Sequence, residues 1–388
     1  MSLSPWPSYD QDEIDAVAEV LKSGKVNYWT GDIGKQFERE FAAHCGADYA
    51  IALTNGTLAL ELALEAAGIG AGDEVIVTPR TFIASASCVV RLGAHPVFAD
   101  VSLQTQNLTP ESVEAVITPK TKAIIAVHHA GWPCDTDGLM ALADQHNLVL
   151  IEDCAQAHGA RFKDRPVGGL GHVAAFSFCQ DKVMTTGGEG GMLVTNDEAL
   201  WKKAWSIKDH GKNYEAVFER EHAPGFRWLH ESFGTNMRMT EMQAAIGRLQ
   251  LQKLPEWSRK RRDNAARITQ TLSKFPAVEV PSPDSDIRHA YYRLYAFIDQ
   301  AALASGWDRD RIMSEINALG IPCFSGSCPE IYREKAFETG GIRPAAALPN
   351  AAQLGPKSLA FLVHPGLTEE DMDLTCNTID AVLSKSMT

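Results

Sequence analysis

Basic residues are in deficit. Of 388 residues, 36 are Lys or Arg and 49 are Asp or Glu, for a formal net charge of -13. Nucleic-acid binding needs a basic footprint, so that class is excluded. A phosphorylated small molecule is not excluded, because one cationic site can sit on an acidic protein. Long apolar runs are missing too: none approaches the ~18–20 residues of a membrane span. The opening MSLSPWPSYDQDEID lacks the basic and apolar regions of a signal peptide, so a cytoplasmic location is expected. None of the eight cysteines forms a C-x-x-C pair, and they scatter as reduced thiols do. His128 and His129 adjoin, but there is no H-E-x-x-H and no cysteine at ligand spacing, so no metal is expected. A Walker A loop is absent as well: GDIGKQ has Trp29 where the first glycine belongs and Gln36 after the lysine. No internal repeat or low-complexity tract is present.

What is present is an α/β pattern long enough for two domains. Apolar runs at 49–53, 73–79, 95–100, 122–128 and 148–153 alternate with helical patterns, one starting at Thr57 and another near Ile83. Continuous apolar strands between amphipathic helices imply a mostly parallel sheet sandwiched by helices. From Met237 the text turns helical and leads into a long connecting helix, on which the Arg259–Arg262 run reads as a solvated face. A smaller C-terminal α/β part follows, with a strand at 291–298, a helix near 308–319, a strand at IPCFS and a last helix from Thr368. Asp371 completes a capping box for that helix. The expected division is 1–250 for the large domain with the N-terminal segment, and 251–388 for the connecting helix and small domain.

Three pieces fall just past strand C-termini, the edge of an α/β sheet where ligands bind. In LTNGTLALELAL, Gly56 and Thr57 open a helix, whose free amides suit a phosphate or merely make a polar helix start. In LVLIEDCAQAHGA, Asp153 ends a buried strand and Gln156 follows three residues later. Asp153 reads either as a helix cap or as the partner of a protonated ring nitrogen in pyridoxal phosphate (PLP). In FSFCQDKVMTTGGEGG, Ser177 could donate to a phosphate, and Lys182 precedes a glycine-rich turn. A lysine there is commonly solvated, but a desolvated one becomes a nucleophile toward an aldehyde. Phosphate cradle, ring-nitrogen partner and nucleophilic lysine on one sheet edge point to PLP more strongly together than singly.

These residues resemble the DegT-type nucleotide-sugar aminotransferases, PLP enzymes of the aspartate-aminotransferase fold (fold type I). The resemblance runs from WPSYDQDEIDAVAEVLKSGKV to VHPGLTEEDM and includes TNGTLAL, GAGDEVIVTPRTFIAS, IEDCAQAHGA, FSFCQDKVMTTGGEGG and GTNMRMTEMQAAIG. It implies that Gly56, Thr57 and Ser177 bind the cofactor phosphate and that Phe82 stacks on the ring. It implies that Asp153 pairs with the ring nitrogen, that Gln156 lies near the ring hydroxyl, and that Lys182 forms the Schiff base. Asn236 resembles an asparagine that reaches the partner protomer's phosphate site, which implies a homodimer with shared sites. The implied reaction moves an amino group, from glutamate on family grounds, to a nucleotide-linked keto-sugar for surface polysaccharide or glycoconjugate.

Two stretches depart from the family pattern and bear on the substrate rather than the cofactor. AFLVHP stands where SLPLHP is common, and CFSGSCPEIY stands where many members carry a His-Tyr pair. The acceptor sugar is expected between Tyr28 and Trp29 on one side and His289, Tyr291, Ser325 and Ser327 on the other. Tyr28 and Trp29 read equally well as packing residues. Three rival readings remain: a PLP-dependent sugar dehydratase, in which histidine replaces the lysine; a non-catalytic PLP-binding regulatory protein; and a cysteine desulfurase using Cys323 or Cys328. Pyridoxamine formation with glutamate, product formation with a keto-sugar, and sulfide release from cysteine discriminate among them.

Overall fold

The computed structural model describes residues 3–387. Its main sheet has seven strands. They are β1 (Tyr49–Leu53), β2 (Glu74–Val77), β3 (His95–Phe98), β4 (Thr121–Val127), β5 (Val149–Asp153), β8 (Val173–Ser177) and β9 (Gly191–Thr195). The short strands β6 (Arg161–Phe162) and β7 (Arg165–Pro166) form a separate ribbon with β11 (Ile287–Arg288). The main sheet runs β1-β9-β8-β5-β4-β2-β3 and is parallel except at β9, which is antiparallel to both neighbours. The C-terminal ends of β1, β8, β5, β4 and β2 therefore share one edge.

Period-2 alternation divides each strand between two helix-covered faces. Ile51 and Leu53 enter one core with the helices Gly56–Ala66, Ala84–Arg91 and Glu198–Lys208. Ala50 and Ala52 enter another with Ile33–Cys45 and the start of Glu241–Leu272. The helix starts are capped as their residue types predict. Asn55, Asp135 and Asp197 accept helix amides, and Thr240 and Thr368 form capping boxes with Gln243 and Asp371.

The helix Glu241–Leu272 spans 32 residues and crosses position 250 without a break. Its C-terminal half packs against a four-stranded sheet of order β10-β12-β14-β13. Those strands are β10 (Val278–Glu279), β12 (Leu294–Ile298), β13 (Cys323–Phe324) and β14 (Ser358–Phe361). Leu3 joins this third core, and the Ser4 amide donates to Asp371, so the first described residues sit with the C-terminal elements. The basic run 259–262 is not wholly solvated. Arg259 is exposed and pairs with Glu256 and Asp263, whereas Arg261 is buried with its guanidinium 5.3 Å from the Trp6 ring. Helical periodicity turns Arg261 inward while its neighbours face water. Among the described residues, no helix is long and apolar enough to cross a membrane.

Candidate active site

A cleft of about 970 Å³ opens at the shared strand edge, walled on its far side by residues of the second sheet. Gly56, Thr57, Phe82, Asp153, Gln156, Ser177, Lys182 and Ser327 all line it.

Asp153 is the last residue of β5, and the strand's alternation aims its neighbour Glu152 elsewhere. Glu152 accepts the amides of Gly168, Leu170 and Gly171 and lies 2.9 Å from His128 Nε2. Asp153 faces the cleft floor. Its Oδ2 accepts the Ser85 hydroxyl at 2.7 Å, and its Oδ1 accepts the Ala155 amide at 3.1 Å. Ser85 is in turn 2.9 Å from the Thr81 hydroxyl. No helix follows β5 directly, so Asp153 is not a helix cap. Burial pushes its pKa up, against the opposing pull of Ser85, the Ala155 amide and Lys182. A buried carboxylate held that way gains from a cationic partner. Gln156 Oε1 accepts the Ala130 amide at 2.7 Å, which fixes the side chain beside the same floor.

The helix Gly56–Ala66 points its N-terminus into the cleft. Its first amides have no acceptor within the helix. Asn55 Oδ1 takes that of Leu58 at 2.9 Å, leaving Gly56 and Thr57 at the cleft wall. Gly56 packs so closely on β8 that a Cβ would fall 2.6 Å from Ser177 Cβ. Gly191 of β9 plays the matching part, since a Cβ there would meet the Asn55 carbonyl oxygen at 2.3 Å. Glycine at these two positions lets helix start, sheet end and Ser177 converge on one anion-sized space.

Lys182 lies five residues beyond β8. The loop that carries it is pinned from several sides. Thr186 N–H donates to the Phe178 carbonyl, Thr185 N–H to Gln250 Oε1, and Gln250 in turn to Glu13. The Trp6 indole N–H donates to the Lys182 carbonyl at 2.9 Å. Gly187 and Gly188 adopt φ of +81° and +111°, which a side chain would strain. The Lys182 ammonium is mostly buried, 3.6 Å from Asp181 Oδ1 and 5.1 Å from the Tyr292 ring centroid. Tyr292 donates its hydroxyl to the other oxygen of Asp181. Burial raises the Asp181 pKa, but Lys182, Tyr292 and Arg293 together bring it below the ordinary value. Burial pushes the Tyr292 hydroxyl well up.

Phe82 presents an apolar ring that is 67% exposed at the cleft, surface that a flat ligand would cover. Ser327 reaches the cleft through the loop after β13: its amide donates to the Tyr295 hydroxyl at 2.8 Å. Gly326, at φ +90°, lies against the Tyr295 ring. Ser325 is exposed and does not line the cleft.

Four more residues expected beside the sugar do not line the cleft either. Tyr28 is buried, bonds to Glu38 at 3.1 Å and has the Lys208 ammonium 3.8 Å from its ring centroid. Trp29 donates to Asp209 at 2.9 Å and packs against Trp205 and Phe218. Their aromatic bodies are used up in packing the N-terminal segment onto the sheet. His289 and Tyr291 line smaller neighbouring grooves instead. His289 is buried, which lowers its pKa to about 3, and its Nδ1 accepts the Tyr291 amide at 2.8 Å. Asn236 also lies outside this cleft, on an exposed segment that carries Phe226, Trp228 and Phe233.

Sequence reading misses Ser85, Asp181, Tyr292, Arg293 and Trp6. Ser85 stands in the quoted TFIAS piece and Asp181 adjoins Lys182, so both were within reach of a local argument. The other three come from distant parts of the chain.

The model of the DegT/DnrJ/EryC1/StrS aminotransferase family matches residues 7–380. The chain is 37% identical to GDP-perosamine synthase of Caulobacter vibrioides, over 97% of each chain. It is 36% identical to the spore coat polysaccharide biosynthesis protein SpsC of Bacillus subtilis, over 97% of this chain and 95% of the relative. The solved structure of an aminotransferase from Psychrobacter cryohalolentis superposes with a TM-score of 0.98 at 59% identity and covers both chains fully.

Proposed function

The chain belongs to the DegT/DnrJ/EryC1/StrS aminotransferase family, and from that premise we propose that it moves an amino group from glutamate to the keto carbon of a nucleotide-linked sugar, with PLP as cofactor. The convergence of Asp153, Lys182 and the Gly56–Thr57–Ser177 cradle on one cleft carries this reading. The relatives named for perosamine and for spore coat polysaccharide support a nucleotide-sugar acceptor and a surface-glycan context.

The residues present fit PLP. Gly56, Thr57 and Ser177 would hold its phosphate, Asp153 its ring nitrogen and Phe82 one ring face. Gln156 would lie near the ring hydroxyl. When bound, PLP supplies the electron sink that makes the α-proton of an attached amino acid removable. Asp153 keeps a negative charge at the ring-nitrogen position, and Ser85 and Ala155 fix its two oxygens. Lys182 Nζ would take the proton from the donor carbon in the glutamate half-reaction and, in the second half-reaction, deliver one to the sugar carbon that receives the amine. Asp181 and Tyr292 hold Nζ within the cleft between these steps. The cleft volume of about 970 Å³ is at the upper end of ordinary ligand pockets, ~300–1,000 Å³, and leaves room for a sugar above the cofactor.

We assign Asn236 to the partner's site in a homodimer. Its exposed position beside Phe226, Trp228 and Phe233, which are 77%, 82% and 100% exposed, supports a segment covered by another chain. Subunit exchange between Lys182→Ala and Asn236→Ala chains should regenerate one intact site and restore activity. Absence of rescue after confirmed exchange rules the shared site out, given an impaired Asn236→Ala parent.

The reaction itself is tested by mixing the PLP-loaded protein with glutamate and following pyridoxamine phosphate and 2-oxoglutarate. Stoichiometric formation of both, reversed by a nucleotide-linked keto-sugar, is the expected result. A protein that binds PLP and converts neither substrate is a binding protein, and the proposal fails.

A further inference from the structure

Arg293 directly precedes β12 and lines the cleft, half-buried. Its guanidinium carbon lies 4.6 Å from the Tyr292 ring centroid and 6.0 Å from that of Phe324. One N–H donates to the Tyr292 carbonyl at 3.2 Å. A guanidinium carries five N–H donors. Among the described residues no carboxylate lies within ion-pair distance of Arg293: Asp181 feels its charge but is engaged by Lys182 and Tyr292. The other arginine lining the cleft, Arg91, is different, because it is mostly exposed and paired with Glu61 at 2.6 Å.

The cations on this wall outnumber the carboxylates. Lys182 and Arg293 face Asp181, and behind them the buried Arg261 has an Nε with no acceptor. Burial and the nearby Arg293 bring the Arg261 pKa down to about 9. His364, stacked on Trp6, adds no further positive charge: burial, Arg261 and Arg293 lower its pKa to about 3. The cleft's other carboxylates are engaged or lie elsewhere in the lining, Glu61 pairing with Arg91 and Asp153 accepting from Ser85 and Ala155, so the unpaired donors of Arg293 in a half-buried cleft mark a place where an anion belongs.

We propose that Arg293 is the anion-recognition residue of the cleft, binding the anionic group that a substrate carries past Lys182. That group is a carboxylate of the amino donor or the diphosphate of the nucleotide sugar; both fit the bidentate fork of a guanidinium. Contacts with Tyr292 and Phe324 restrict its rotation, so its remaining donors are preorganised. The proposal rests on the reading that both substrates enter this cleft.

Calorimetric titration of the PLP-loaded protein tests it with two ligands that cannot react, glutarate and inorganic pyrophosphate. Arg293→Gln should bind one of them about tenfold to a hundredfold more weakly, as expected for a lost charge-assisted pair. Loss for glutarate identifies the donor carboxylate, and loss for pyrophosphate identifies the diphosphate. Arg293→Lys, which keeps the charge and loses the fork, should fall between, and it carries the comparison if the Gln variant does not fold. Unchanged affinity for both ligands, or a wild-type protein that binds neither, overturns the proposal. Pyridoxamine formation by the wild-type protein with glutamate, read separately, shows whether the aminotransferase reading fails with it.

Discussion

The carboxylate of Asp181 bridges Lys182 and Tyr292: Oδ1 lies 3.6 Å from Lys182 Nζ, and Oδ2 accepts the Tyr292 hydroxyl. Asp181 thus ties the lysine that follows it to a tyrosine 111 positions from Asp181 itself. If Tyr292 acts on Lys182 through Asp181, the two side chains form one unit. Asp181→Asn and Tyr292→Phe should each slow the glutamate half-reaction, by roughly tenfold for a bond of about 1.5 kcal/mol. The double variant should be little slower than Asp181→Asn alone, because coupled residues are not additive. Stopped-flow rates for the three variants decide this, and fully multiplicative losses disprove the linkage.

Asp153 is expected to lower the stability of the cofactor-free protein. Burial raises its folded-state pKa, so the native state favours the protonated form. Its sign follows from proton linkage. Stability is highest below the unfolded carboxyl pKa of ~3.9 and falls as pH rises from there through the raised folded value. Asp153→Asn removes that loss. At neutral pH the cofactor-free variant should melt no lower than wild type, and the gap should close toward pH ~4. With PLP added the order should reverse, since the ring nitrogen has lost its partner. Thermal melts with and without PLP measure both effects. A cofactor-free Asp153→Asn protein that melts well below wild type at neutral pH contradicts the argument.

Trp29 is expected to be a packing residue. Trp29→Ala deletes its bond to Asp209 and its contacts with Trp205 and Phe218. The cost should be about 3 kcal/mol, in the range for large aromatic truncations. Both half-reactions should then fall together as the melting temperature drops. A selective loss in the sugar half-reaction, with stability intact, would return Trp29 to the substrate.

Much of the site was legible because it is local to strand ends. Gly56 and Lys182 follow readable apolar strands, Asp153 and Ser177 end them, and the fold brings all four to one edge. Strand β9 was not legible: its glycine-rich lead-in reads as loop, yet the pairing of Gly191 with Leu53 and Ser177 needs a residue without a side chain. Arg261 reads as one of a solvated run; periodicity alone does not say that Trp6 and Tyr291, from distant parts of the chain, cover that face of the helix. Trp6 itself lies 176 residues from Lys182, a separation across which local patterning carries no information. Tyr28 and Trp29 show the opposite failure, in which side chains suited to a ligand are taken by packing.

The central claim is that Lys182 is the residue that carries the cofactor. Borohydride reduction of the PLP-loaded protein fixes the cofactor to whichever lysine holds it, and peptide mass mapping then identifies that lysine. The account predicts one modified peptide, labelled at Lys182, with labelling abolished in Lys182→Ala while the chain stays folded. Label on a different lysine, or none at all in a protein saturated with PLP, would contradict it.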